Sequence, residues 1–266
     1  MSQTEPTLKG RAALVTGSTS GIGLAIARAM AAEGANVMLN GFGDPAEIEH
    51  LRAELAHLHG ARVGYSGADM SKPAEILAMV ERAEDELGGL DILVNNAGIQ
   101  HVSPIATFPP EQWERVIAIN LSGPFHAIQA AIPGLRRAGG GRIINIASIH
   151  GLVASPDKSA YVAAKHGLLG LTKTAALELA GDAITVNAIC PGWVLTPLVQ
   201  QQLDARAERE GLRVADVTHA FLAEKQPLAQ FSTPESIAAM AVVLCGPAAS
   251  TITGAAMSID GGWAAR

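Results

Sequence analysis

The 266-residue chain is 48% hydrophobic and 17% charged, which supplies one sizeable core and excludes a disordered polymer. Its 19 basic and 25 acidic residues leave a net charge of −6 with no basic block, which excludes an electrostatic nucleic-acid binder. The opening MSQTEPTLKG has no apolar h-region and no segment offers about 18 unbroken apolar residues, so the expectation is a soluble cytoplasmic protein with no membrane partner.

No linker or internal repeat divides the chain, and 1–266 reads as one domain. The two cysteines, Cys190 and Cys245, read as buried free thiols. The eight histidines show no ligand spacing, so no metal site is expected.

An apolar run from Arg11 to Thr16 leads directly into Gly17, and helical composition follows from Ile22 to Ala32. The spelling TGSTSGIG is strand, glycine turn and helix. Gly17, Gly21 and Gly23 allow a tight turn and close approach to a ligand, and the helix start presents N–H groups to a pyrophosphate. A second strand, Asn36 to Asn40, ends where a nucleotide's ribose is sorted. An acid there binds both ribose hydroxyls, and a cation binds a 2′-phosphate. Asn40, Gly41, Phe42 and Gly43 provide neither, and Ser18, Thr19 and Ser20 add no cation, which favours NAD over NADP.

Asp44 to His59 reads as a helix closed by Gly60, and Arg62 to Ser66 as a strand. Asp69 and Met70 follow. Asp69 has two readings: an acceptor for an adenine amino group, or the N-cap of the helix from Pro73 to Leu87. DILVNNAG is a buried strand that delivers Asn95, Asn96, Ala97 and Gly98 to the carboxyl edge of the sheet. Glu111 to Ala138 reads as one long helix, with Asn120 unexpectedly in its middle.

The strand Arg142 to Ile146 feeds Ser148, then Tyr161 thirteen residues later, then Lys165 one helical turn beyond. Residues four apart share a helix face, so the Lys165 ammonium can lie beside the Tyr161 phenol and, together with a cationic cofactor ring, lower its proton affinity. The bland alternative is two surface residues that happen to be four apart. From Ala160 the helix continues to Gly181 with little polar face, as if buried on several sides. Ile184 to Ile189 is a strand delivering CPGWVLTPL, and 196–231 reads as a helical lid. A helix from Thr233 to Cys245 and a last strand in GAAMSIDGGW complete the chain. About seven strands alternating with helices specify a Rossmann-type, doubly wound parallel α/β sheet.

Taken together, TGSTSGIG, Asp69, NNAG, Asn120, Ser148, Tyr161 to Lys165 and PGWVLT resemble the short-chain dehydrogenase/reductase family across essentially the whole chain. The resemblance implies a catalytic tetrad of Asn120, Ser148, Tyr161 and Lys165 in which Tyr161 moves the substrate proton, Ser148 holds the substrate oxygen and Asn120 holds a water. It also implies a nicotinamide cofactor on Gly17, Ser18, Thr19, Ser20, Gly21, Ile22, Gly23, Phe42, Asp69, Met70, Asn96, Ala97, Gly98, Tyr161, Lys165, Pro191, Gly192, Val194 and Thr196. The departure from the family is the missing acid at Asn40 to Gly43.

Gln100, His150 and Lys158 are potential donors around the tetrad, and converging donors with a lysine suggest an anionic substrate end; ordinary loop residues are the alternative. Trp193 and Trp263 can wall the opposite side. The fuller spelling NNAGIQH, IASIHGLVASPDKSAYVAAKHG, AICPGWVLTPLVQQQ and EKQPLAQF is similar to those family members that interconvert short 3-hydroxy and 3-keto acids. That likeness assigns the substrate carboxylate to Gln100, His150, Lys158 and Gln202, and implies a homotetramer. The rivals are a reductase of carrier-protein thioesters and a catalytically silent nucleotide-binding protein.

Overall fold

The structure is a computed structural model describing residues 7–195 and 197–265, without the side chains at 197, 198 and 202. The expectations for Thr196 and for the Gln202 side chain therefore lie outside the described residues.

The apolar runs form β1 (Ala12–Val15), β2 (Asn36–Asn40), β3 (Val63–Ser66), β4 (Ile92–Asn95), β5 (Gly141–Ile146), β6 (Ile184–Pro191) and β7 (Ala256–Ile259). They make one parallel sheet in the order β3-β2-β1-β4-β5-β6-β7. Unbroken apolar strands of this kind need cover on both faces. One face is covered by α1 (Gly21–Ala32), α2 (Pro45–His59) and, from the end of the chain, Pro234–Cys245. The other is covered by α3 (Pro73–Leu87), Gly123–Arg137 and Ser159–Leu179. The chain winds one way from β1 through β3 and then returns to place β4 on the other side of β1. That reversal opens a crevice at the carboxyl ends of the strands.

Local chemistry sets the helix ends. The Asp44 carboxylate accepts from the Ala46 and Glu47 N–H groups at the start of α2, and Gly60 closes that helix with a φ of +63°. Asp69 does not cap α3, contrary to one of its two readings. Its Oδ1 accepts from the Ser71 N–H and hydroxyl, both within its own turn, while Lys72 occupies the cap position.

The long helix expected over Glu111 to Ala138 is α4 (Pro110–Ile117) and α5 (Gly123–Arg137) joined by a π turn, Ala118–Ser122. Pro124 explains the interruption. It has no N–H to give the carbonyl four residues back, which is that of Asn120, and its ring crowds that position. Beyond it lie α6 (Ser159–Leu179) and a lid of two helices, α7 (Pro197–Glu210) and α8 (Val214–Ala223), that pack through Leu203, Ala207 and Val217. α9 (Pro234–Cys245) begins with a reciprocal cap between Thr233 and Ser236. Both cysteines are buried and free. Among the described residues no helix is long and apolar enough to cross a membrane, and no cluster of His, Cys, Asp and Glu could hold a metal ion.

Asn40, at the end of β2, ties three segments together. Its Oδ1 accepts the Gly17 N–H at 3.1 Å, and its Nδ2 donates to the Ser66 and Ala68 carbonyls at 3.1 and 3.0 Å. Asn40→Leu strands these buried backbone groups, and urea denaturation should show a loss of about 2–4 kcal/mol. Unchanged stability would show that the glycine turn holds its shape without the amide.

Candidate active site

The crevice begins at the glycine turn. A cavity of about 620 Å³ is lined by Gly17, Thr19, Ser20, Gly21, Ile22, Phe42, Asp69, Met70, Asn96, Ala97, Gly98 and Val194. Ser20 caps α1 without a side-chain hydrogen bond, so its hydroxyl leaves the first N–H groups of the helix available to an anion. Gly17 has a φ of +62°, and a Cβ there would stand 2.8 Å from the Ala97 backbone. Gly23 lies behind the turn, where a Cβ would stand 2.2 Å from the Gly17 carbonyl. Ser18 is also internal: its hydroxyl donates to the Val15 carbonyl at 2.7 Å and accepts the Asn40 N–H at 3.0 Å. Ser18 and Gly23 thus shape the turn without lining the cavity.

The open turn, the helix start and the extended cavity fit a dinucleotide. At the ribose end Asn40 is fully engaged with backbone, the Gly41 carbonyl accepts the Tyr65 hydroxyl at 2.8 Å, and Phe42 is largely exposed. Asp69 is held ionised below the usual carboxylate range, first by the Ser71 N–H and hydroxyl and then by Lys72 and Arg115. Arg115, on α4, lines this cavity without having been picked out from the sequence.

A second cavity, of about 580 Å³, is lined by Gln100, Ser148, His150, Lys158, Tyr161, Lys165, Pro191, Gly192, Trp193 and Trp263. It shares Ile22, Asn96, Gly98, Ile99 and Val194 with the first, so one space runs into the other. β5 ends just before Ser148, α6 carries Tyr161 and Lys165 one turn apart, and the loop after β6 brings Pro191 to Val194. Lys165 is 4% exposed, and its ammonium donates to the Ile146 carbonyl at 2.7 Å and lies 5.6 Å from the centre of the Tyr161 ring. Asn120 clamps Ile99 from both sides, Oδ1 accepting its N–H and Nδ2 donating to its carbonyl, each at 2.9 Å.

The Tyr161 phenol is pushed above its ordinary range by burial, with a smaller opposing effect from the Ser148 hydroxyl. Burial likewise lowers Lys165, to about 8. In the chain alone desolvation therefore prevails, and the lowering expected of the phenol needs lysine and cofactor ring together.

Of the expected acid-binding donors, Gln100, His150 and Lys158 line the same cavity. Lys158 Nζ lies 3.4 Å from His150 Nε2 and 5.1 Å over the Trp193 ring. Trp193 stacks on Trp263 with centroids 5.7 Å apart, and His150 meets Trp263 edge-on at 5.4 Å. Burial lowers the proton affinity of Lys158. Among the described residues no carboxylate pairs with that ammonium.

A protein-family model described as enoyl-(acyl carrier protein) reductase matches residues 17–264. The D-beta-hydroxybutyrate dehydrogenase of Cupriavidus necator is 57% identical over 260 residues, which is 97% of this chain and all of that protein. The chain belongs to the short-chain dehydrogenase/reductase family. Another short-chain dehydrogenase/reductase, the D-beta-hydroxybutyrate dehydrogenase of Rhizobium meliloti, is 55% identical over 256 residues, 96% of this chain and 99% of that one. The L-sorbose reductase of Gluconobacter frateurii, solved with NADPH and L-sorbose, superposes with a TM-score of 0.92 at 32% identity, covering 99% of this chain and all of that one.

Several supporting side chains in this short-chain dehydrogenase/reductase escaped the sequence reading. The Thr16 hydroxyl accepts the Asn96 and Ala97 N–H groups at 2.9 and 3.1 Å, and Asn96 Nδ2 returns to the Thr16 and Gly17 carbonyls. Asn145 links Asn95 to Thr172, each contact at 2.9 Å. Their one visible signal is a polar residue inside or ending an apolar strand, where it must be hydrogen-bonded.

His150 offers a test of the buried electrostatics. Burial, reinforced by Lys158, holds it at about 4 against an ordinary 6.5. An unfolded chain takes up that proton below pH 6.5 and the folded one only near 4, so stability present above 6.5 is lost as the pH falls through this window. His150→Gln should flatten the slope of Tm against pH between 6.5 and 4 relative to the unaltered protein. Equal slopes would mean that His150 titrates normally in the folded state.

Proposed function

We propose that this short-chain dehydrogenase/reductase catalyses the reversible oxidation of (R)-3-hydroxybutyrate to acetoacetate with NAD. The observation that carries the reading is the half-buried Lys158 ammonium, set beside His150 and facing the same cavity as Ser148 and Tyr161, with no carboxylate paired to it among the described residues. A cation removed from water in this way favours an anionic partner, and a substrate carboxylate provides one. Lys158, His150 and Gln100 hold that carboxylate, with Gln202 as a further candidate from the lid. Trp193 and Trp263 close the cavity and keep the acid short. A reductase of carrier-protein thioesters would have no use for an ammonium aimed at a free acid. The likeness to two D-beta-hydroxybutyrate dehydrogenases at 55–57% identity points the same way.

NAD supplies the hydride acceptor when bound. The glycine turn and the start of α1 hold its pyrophosphate, Asp69 and Met70 its adenine end, and Pro191, Gly192, Val194 and Thr196 its carboxamide end. Neutral backbone and Phe42 at the ribose end suit an unphosphorylated 2′-hydroxyl. Ser148 donates to the substrate oxygen and fixes its distance from Tyr161. Tyr161 removes the alcohol proton, or returns it in the reverse direction, while Lys165 supplies buried positive charge and binds ribose hydroxyls. Asn120 gives its side chain to Ile99. On this reading Asn120 also holds a water in the proton path. The same reading makes 1–266 one catalytic domain in the cytoplasm and the protein a homotetramer; Leu177, 82% exposed on α6, offers apolar contact surface for that assembly.

The test is NADH formation from the separate D and L acids, each with NAD and with NADP. Turnover confined to the D acid with NAD is expected, and turnover on a thioester with neither acid oxidised would overturn the reading. Lys158→Ala should raise KM for the acid by about tenfold or more, because a charged hydrogen bond is lost. An unchanged KM would place the carboxylate elsewhere.

A further inference from the structure

The lid ends in a buried side chain that the catalytic reading leaves unused. Gln226, just beyond α8, is completely inaccessible to solvent. Its Oε1 accepts the Trp193 N–H, and its Nε2 donates to the Gln230 carbonyl. Two glycines make room for the amide. A Cβ on Gly192 would stand 2.4 Å from Gln226 Oε1, and one on Gly261 would stand 3.1 Å from Gln226 Cβ and 3.2 Å from its Nε2. The side chain is thus wedged between the loop after β6 and the loop after β7. Those loops carry Trp193 and Trp263.

α8 grips the same wall a second time. The Phe221 ring lies 4.9 Å from the Trp193 ring, on the lid side. Trp193 is therefore held by its backbone through Gln226 and through the Ser232 N–H, which donates to its carbonyl at 2.9 Å, and by its indole through Phe221, while the same indole also meets Trp263 and the Lys158 ammonium. A buried amide with both ends bonded fixes a unique geometry, and one with a lost partner leaves orphaned backbone groups.

We propose that Gln226 and Phe221 are positioning residues for substrate length, locking the Trp193–Trp263 wall to the second lid helix. The proposal rests on the 3-hydroxy acid reading above. Gln226 acts through Trp193 and lines neither cavity. With the lock intact, the wall stands at a fixed distance from Lys158 and Tyr161 and admits a short acid. With it broken, the wall yields, the short acid is held less well and a longer one gains access.

The experiment compares oxidation of (R)-3-hydroxybutyrate and (R)-3-hydroxyhexanoate by the unaltered protein, Gln226→Leu and Phe221→Ala, with NADH binding measured separately by fluorescence. In each variant the ratio of kcat/KM for the longer acid over the shorter should rise about tenfold, mainly through KM for the shorter acid, while NADH affinity stays within about twofold. Near-UV circular dichroism should show a changed signal from the stacked indoles. Phe221→Ala leaves every buried hydrogen bond in place, so it carries the test if Gln226→Leu does not fold. An unchanged length ratio in the folded variants, or a loss of NADH binding as large as the loss of acid binding, would overturn the proposal. Failure of the unaltered protein to oxidise either acid would instead strike the 3-hydroxy acid reading itself.

Discussion

At the carboxyl edge of a parallel sheet the hydrogen-bond ladder runs out while the chain is still buried, and the backbone groups stranded there must find other partners. In this protein side-chain amides take over. Asn40 joins the glycine turn to the chain after β3, Asn96 joins β4 to the chain leaving β1, and Asn120 clamps Ile99. At the opposite, amino end of β7, Asn187 of β6 serves in the same way, taking the Ala255 N–H and donating to the Ile252 carbonyl. Gln226 repeats the device between the last two strand ends. An amide suits the task because it carries a donor and an acceptor on one short, uncharged group. The edge that binds ligands is consequently rigid where its loops cross.

That rigidity lets the site hold ionisable groups in poor solvent. Lys165 is anchored on the Ile146 carbonyl, Tyr161 stands one turn before it, and burial disfavours the charged form of both. The chain alone therefore stores a neutral phenol beside a weakened ammonium. On the proposed function, a positive cofactor ring together with Lys165 would reverse the balance, since opposite charge within a few ångströms favours phenolate, and would tie proton transfer to the presence of cofactor. At the other end of the cavity, burial also lowers the proton affinity of Lys158, and on the proposed function a substrate carboxylate would restore it.

The sequence made the strands, the glycine turn and the Ser148–Tyr161–Lys165 series legible because each depends on local spacing: an apolar run, three glycines, one helical turn. Long-range partners were not legible. Asn40 drew notice only as a missing acid, whereas its amide bonds to residues 23, 26 and 28 positions away. Gln226 lay inside a quoted stretch, yet its bond to Trp193 spans 33 positions and leaves no periodic trace. The lysine–tyrosine spacing was legible, whereas the burial that raises the phenol in the chain alone was not, since spacing says nothing about desolvation. Pro124 did carry a local signal, a missing donor to Asn120, that one uninterrupted helix from Glu111 to Ala138 ignored.

The central claim is that Tyr161 becomes a base only with cofactor beside it. With two tyrosines in the chain, ultraviolet titration of phenolate, compared between the unaltered protein and Tyr161→Phe, isolates its signal from that of Tyr65. Without NAD the Tyr161 midpoint should lie above the ordinary phenol range, and with NAD bound it should fall well below it. An identical midpoint in both states, or phenolate already present at neutral pH without NAD, would contradict the account.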